Sequence, residues 1–184
     1  MMRTTVSRPI LMKPDLVEAT IWGLKTETRR IPKKGTLMFP EFCQYGQVGD
    51  HLWTREPVRL RAVGGDWYDV VYKVKDDPIH QFPGKPHPVL KMNRWTPSIH
   101  MPKAVSRLDL KISQVTAPLL QSLTSEQAAA EGWHYFAKLE GHDLPIARSW
   151  FRLTWDSINE KRGFGWDENP RVWRIQYTVA HALR

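Results

Sequence analysis

The sequence is poor in cysteine, with Cys43 alone in 184 residues. One thiol excludes an intramolecular disulfide and any cysteine-built zinc cage. No apolar run approaches the ~20 residues that a membrane helix needs. The opening MMRTTVSRPILMKPDL is basic but lacks the long apolar stretch of a signal peptide. These absences lead us to expect a cytoplasmic protein with no membrane partner. There is no P-loop, no GxGxxG and no GxSxG nucleophile elbow. The seven histidines show no HExxH or similar spacing, so neither a metal nor any other cofactor is expected.

Positive charge and tryptophan are plentiful. Lys and Arg number 27 against 19 Asp and Glu, a net charge of +8, and there are nine Trp. A basic surface suits a polyanionic partner, and interspersed aromatics suit unstacked bases. The plainer reading is a basic protein with no specific partner. The length fits one domain, residues 1–184, able to bury ~70% of its unfolded surface.

Local patterns predict the elements. RPILM (Arg8 to Met12) reads as a short strand. Pro14 suits a helix start, Leu16, Val17, Thr20, Ile21 and Leu24 follow helical spacing, and Gly23 is a stop. HLWTRE (His51 to Glu56) and WYDVVYKV (Trp67 to Val74) read as strands, the second after a hairpin turn at Gly64-Gly65-Asp66. Residues 76–103 are rich in Pro and Trp and read as a long irregular insertion. We expect it to fold over the mouth of the domain from Pro78 to Pro102, anchored by Trp95. Ser106 to Thr116 alternates like a half-buried strand. TSEQ (Thr124 to Gln127) is a capping box opening a helix that Gly132 ends. A second helix covers about Ile146 to Glu160, with Ala147, Trp150, Phe151, Thr154 and Ile158 on one face. Val172 to Ala180 has strong strand propensity. Strands with segregated helices make an α+β fold, with a small barrel closed by the last strand.

The densest chemical cluster is KTETRR (Lys25 to Arg30), next to a predicted helix end. A lysine amine beside a threonine hydroxyl can activate a nucleophile if its pKa is lowered. Arg29 and Arg30 have the right sign to do that. The alternative is a solvated basic strand that binds phosphate or nothing. Positions three apart face opposite sides of a strand, so pairing Lys25 with Thr28 requires the exit at Gly23 to carry Lys25 out before extension begins. Glu131 falls in a last helical turn, where the dipole nudges a carboxyl pKa upward. Its alternative is an ordinary exposed glutamate. Glu56, between Arg55 and Arg59, reads also as a structural ion-pair partner. The histidines read as loop packing or hydrogen-bonding groups.

The stretches RPILM, GLKTETRR, YGQVGDHLWTRE, RWTPSIHMPKAVSRLDLKI, LTSEQAAAEGW, FRLTWDSIN and WDENPRVWRIQY together resemble the ASCH-domain family of the PUA-like superfamily, in the long form carried by phages and prophages. The resemblance covers about Arg8 to Tyr177. It implies a small PUA-like β-barrel with flanking helices and a cleft lined by the GxKxxTxR segment. It implies a nucleoside or RNA ligand. One short branch of the family removes the acetyl group from N4-acetylcytidine with a Lys, a Thr three residues later and a Glu on a following helix. Carried over, the catalytic residues are Lys25 as base, Thr28 as nucleophile and Glu131 as proton shuttle or orienter. Arg29, Arg30, Arg55, Glu56, Trp95 and His100 are the expected substrate or nucleic-acid contacts. The expected function is amide hydrolysis of an N4-acylated cytidine; a non-catalytic RNA or modified-base module and a ribonuclease are the alternatives. Departures from the short enzymes are the 76–103 insertion and extra residues around Gly141 to Trp166.

Overall fold

The clearest alternation in the sequence becomes a central strand of the main sheet. The structure is a computed structural model that describes residues 3–36, 39–64, 67–74, 79–140 and 146–183, with side chains of 79 and 138–140 left aside. The chain runs β1 (Ser7–Leu11), α1 (Pro14–Ile21), β2 (Glu27–Arg30), β3 (His51–Arg55), β4 (Val58–Gly64), β5 (Trp67–Tyr72), β6 (Ile79–Pro83) and β7 (Leu108–Thr116). It continues through α2 (Ser125–Ala128), α3 (His134–Glu140), α4 (Ala147–Asn159) and β8 (Trp173–Ala182). On β7, Leu108, Leu110 and Ile112 point into the core. A bulge between Ile112 and Gln114 then resets the alternation, which is why Val115 and not residue 114 is buried.

The main sheet has the order β1-β3-β7-β8-β2. All neighbours are antiparallel except β1 and β3. The last strand lies between β7 and β2, and the sheet curls into a half-barrel. α1 carries the chain from one edge strand to the other and sends Val17 and Ile21 into the core with Ile10, Leu52, Leu110, Trp173 and Ile175. The α+β class expected from the sequence is the class observed.

A second, three-stranded antiparallel sheet, β4-β5-β6, stands beside the first. The predicted hairpin links β4 to β5, although residues 65 and 66 lie outside the described residues. The insertion differs from expectation. Residues 79–83 form β6 instead of loop, ending at Pro83 as an edge strand does; residues 76–78 lie outside the described residues. The remainder packs on the second sheet through Leu90 and Met101, with bridges from Met92 to Leu60 and from Thr96 to Val58. Trp95 is not the anchor: it is 38% exposed, whereas Met101 is fully buried. A flexible thioether fills that irregular gap better than a rigid indole.

The helices form a third cluster with Leu120, Trp166 and Val172. On α4 burial recurs every four residues, at Ala147, Phe151, Trp155 and Asn159. The predicted face missed Trp155 and included Ile158, which is 45% exposed. α3 was also missed, because Gly132 read as a terminus. Of the extra residues expected after Gly141, 141–145 lie outside the described residues.

The N-terminal segment is tied down by Asp50. Its buried carboxylate accepts a two-pronged contact from Arg3, at 2.8 and 3.0 Å, and the backbone N–H groups of Val6 and Gln47, both at 2.9 Å. Burial alone would raise its pKa, but these donors outweigh it and bring the value down to about 2. A depressed carboxylate stabilises the fold above its unfolded pKa and loses that contribution as pH falls from about 4 to about 2. Asp50→Asn is expected to cost ~1–2 kcal/mol at pH 7, a figure discounted for the half-exposed Arg3, and to converge with the parent near pH 2. Thermal midpoints measured at both pH values check this; an equal cost at both would assign the effect to packing.

Candidate functional site

Two segments distant in sequence meet at the site. Gly23, with φ of 72°, ends α1 in the left-handed region, and Ala19 O accepts both the Leu24 and Lys25 N–H groups. That exit sends Lys25 inward before β2 begins. From the other side, the Thr124 hydroxyl caps α2 by accepting the Gln127 N–H at 3.3 Å. The cap is not reciprocal: the Gln127 side-chain oxygen instead accepts from Arg29 Nη2 at 2.6 Å. After α2 the chain kinks at Gly132, whose φ of 117° is non-helical, and α3 follows.

Just before that kink, both the carbonyl and the carboxylate of Glu131 meet one ammonium. Lys25 Nζ donates to Glu131 Oε2 at 2.7 Å, Glu131 O at 2.9 Å and Glu27 O at 2.7 Å. Arg29 Nη1 donates to Glu131 Oε1 at 3.2 Å and to Glu27 Oε1 at 2.5 Å. Arg174 Nη2 closes on Glu27 Oε2 at 2.6 Å. A Cβ at position 132 would stand 3.0 Å from Leu16 Cδ2 and 3.7 Å from the Lys25 side chain, in a backbone conformation that only glycine adopts freely. Gly132→Ala is therefore expected to destabilise by ~1–3 kcal/mol. A denaturant midpoint equal to the parent's would remove this account of the turn.

Four cations, Lys25, Arg29, Arg30 and Arg174, face two carboxylates, Glu27 and Glu131. This imbalance shapes both titrations. Burial lowers the Lys25 pKa, Arg30 adds to that, and Glu131 opposes it without cancelling it. Burial pushes the Glu131 carboxyl up, but Lys25 and Arg29 outweigh it and the net shift is downward. The upward nudge expected from a helix terminus is thus reversed. A terminal dipole contributes ~0.3–1 kcal/mol, less than a hydrogen bond to a charged group at ~1.5–3 kcal/mol.

The cluster forms the floor of a cleft of about 750 Å³. Thr28 lines it beside Lys25, Arg29 and Glu131. The Thr28 hydroxyl makes no hydrogen bond among the described residues, and Lys25 Nζ does not reach it in this state. Trp150, Phe151 and Trp155 of α4 form one wall; Arg30, Arg55 and Arg162 supply positive charge. Arg55 stacks 4.7 Å from the Trp53 ring and donates to Ile99 O at 3.1 Å.

The sequence-predicted residues divide into two groups. Lys25, Thr28, Glu131, Arg29, Arg30 and Arg55 share this cleft. Glu56 does not line it; the carboxylate is buried against Arg107, at 2.7 and 3.0 Å. Trp95 and His100 line a separate groove on the insertion, and only Ser98 and Ile99 of that segment reach the cleft. The expected cover over the mouth thus reduces to one turn. Sequence reasoning missed Glu27 and Gln127, which orient Arg29, and Arg174, which holds Glu27. Only Glu27 carried a signal, its position inside KTETRR.

No protein-family model matches the chain, and no curated protein matches it. Among solved structures it is similar to the crystal structure of an ASCH domain from Lactobacillus crispatus JV V101, with 12% identity, coverage of 96% of this chain and 80% of that chain, and a TM-score of 0.42.

Proposed function

We propose that the cleft takes a nucleoside, free or within RNA, and hydrolyses an acyl amide on its base, with N4-acylated cytidine as the substrate class. The observation that carries this reading is the buried Lys25–Glu131–Arg29 cluster beside a Thr28 hydroxyl that has no partner among the described residues. The aromatic wall of α4 suits a flat base, and the positive rim suits phosphate.

Lys25 acts as the base once it is neutral, a state favoured by its lowered pKa. Nζ takes the Thr28 proton as Oγ1 attacks the acyl carbon. The same proton passes to the base N4 as the C–N bond breaks, freeing cytidine and leaving the acyl group esterified to Thr28. Water then attacks the ester as Lys25 Nζ takes one of its protons, and Lys25 passes that proton to Thr28 Oγ1 as the C–O bond breaks and the carboxylic acid leaves. Glu131, held as a carboxylate by Lys25 and Arg29, orients the amine, and Lys25 sheds its proton to solvent beforehand. Arg29 Nε, buried with no acceptor among the described residues, supports a role in holding the oxyanion.

A second reading has its own support. All three protons of the Lys25 ammonium are engaged by oxygens other than Thr28's, as in a static binding site. Incubation of the protein with N4-acetylcytidine and with single-stranded RNA, followed by product analysis, separates the two. Release of acetate and cytidine is the expected result. Binding without release supports the static module, and RNA cleavage without release points to a nuclease.

A further inference from the structure

The insertion carries a second basic and aromatic surface outside the cleft. A groove of about 510 Å³ is lined by Lys91, Arg94, Trp95 and His100, with no carboxylate in its lining among the described residues. Trp95 exposes 38% of its surface there. The Arg59 guanidinium lies 5.1 Å and Lys73 Nζ 6.0 Å from the Trp95 ring centroid. Lys91, Arg94, Arg59 and Lys73 form no ion pair among the described residues. Other arginines are neutralised, Arg61 by Asp69, Arg107 by Glu56 and Arg152 by Asp167, whereas these four gather around one ring. Unneutralised cations clustered around one exposed indole are matched by an anion that also carries a flat ring.

The groove also adjoins the cleft. Ser98 and Ile99 line the cleft, whereas Pro97 and His100 line the groove, so the single turn Ser98–His100 is a wall of both. Arg55, at the cleft, holds that turn through the Ile99 carbonyl. A polymer lying in the groove would deliver one of its residues to the cleft.

We infer that this groove binds the flanking nucleotides of a single-stranded polynucleotide, with phosphates on Lys91 and Arg94 and a base against Trp95. The inference rests on the reading of the cleft as a nucleoside site. It makes the physiological substrate a nucleotide within a single strand, in place of a free nucleoside.

The test measures affinity for oligouridylates of two and twelve residues, with inorganic polyphosphate as the charge-only control. The parent is expected to bind the 12-mer far more tightly than the dinucleotide. Lys91→Glu/Arg94→Glu should weaken the 12-mer at least tenfold and reduce the salt slope by about 1.4, about 0.7 for each lost phosphate contact. Trp95→Ala should weaken it roughly 5- to 150-fold, the range for one lost base stack. These side chains are exposed, so the thermal midpoints should match the parent's. Equal affinity for both lengths, an unchanged 12-mer affinity in the variants, or polyphosphate binding that matches the 12-mer would each overturn the groove. Acetate release from N4-acetylcytidine is read separately. Hydrolysis without length dependence sinks the groove alone; length-dependent binding through Lys91 and Arg94 without hydrolysis sinks the reaction and keeps the groove.

Discussion

Thr28→Val is expected to lower amide hydrolysis by at least ~10³-fold while leaving the fold intact. Thr28 is buried, and its hydroxyl bonds nothing among the described residues, so the isosteric methyl leaves none of them unsatisfied. Lys25→Met should cost a comparable factor, since nucleophile and base act as a unit and their losses do not add. It is the less clean variant. Lys25 is among the largest fully buried side chains, and its removal leaves Glu131 with Arg29 as its remaining cation. Thermal midpoints must therefore accompany the rates. Glu131→Gln keeps the shape and removes the anion that raises the Lys25 pKa. With Lys25 as base, activity rises with pH through that pKa, so the rising limb of the residual Glu131→Gln activity should shift to lower pH. A static binding site predicts otherwise: Lys25→Met weakens ligand affinity, and no hydrolysis is present to lose. A fully active Thr28→Val would leave the nucleophile assignment wrong and point to a water activated by Lys25.

The convergence of Lys25 and Glu131, 106 positions apart, could not be read from spacing. Each half was visible locally. Gly23 marked the exit that frees Lys25, and Gly132 marked a break beside Glu131. Only the resemblance joined the halves. What the local reading missed is physical. Gly132 does break the helix, but with φ of 117° it makes a kink and a second helix follows at once, and its missing side chain lets Leu16 and Lys25 pack beside it. The Gln127 side chain was assigned to its own cap, yet a buried guanidinium is a stronger donor than a backbone N–H at an exposed helix start. In the insertion, proline density hid a five-residue strand that pairs only on one side.

Glu56 shows the opposite case, in which period-two geometry carried information that charge counting ignored. Arg55 is its sequence neighbour and Arg59 lies three positions on; along an extended strand both face the other way. The true partner, Arg107, comes from the approach to β7. It also reaches Glu18 of α1 at 3.3 Å and lies 4.7 Å from the Tyr72 ring of the second sheet. This one guanidinium thus ties together both sheets and a helix.

Breaking that pair is expected to have the largest stability effect in the molecule. Burial weakens the hold of Arg107 on its proton, but Glu56 more than restores it. Burial pulls Glu56 the other way and raises its pKa in spite of Arg107. The two-pronged contact at 2.7 and 3.0 Å keeps both groups ionised. Glu56→Ala leaves the Arg107 charge buried with only the partly exposed Glu18 to answer it. The expected cost is ~3–5 kcal/mol, against ~1 kcal/mol or less for an exposed pair such as Arg152–Asp167. Replacing both partners by apolar residues of similar volume, Glu56→Leu with Arg107→Met, should recover most of that loss, because the penalty belongs to the orphaned charge and not to the missing attraction. Denaturant unfolding of the two variants decides the point. Equal destabilisation of the single and double variants would mean that Arg107 acts through its packing between the sheets, with its stem on Tyr72, and that charge pairing contributes little.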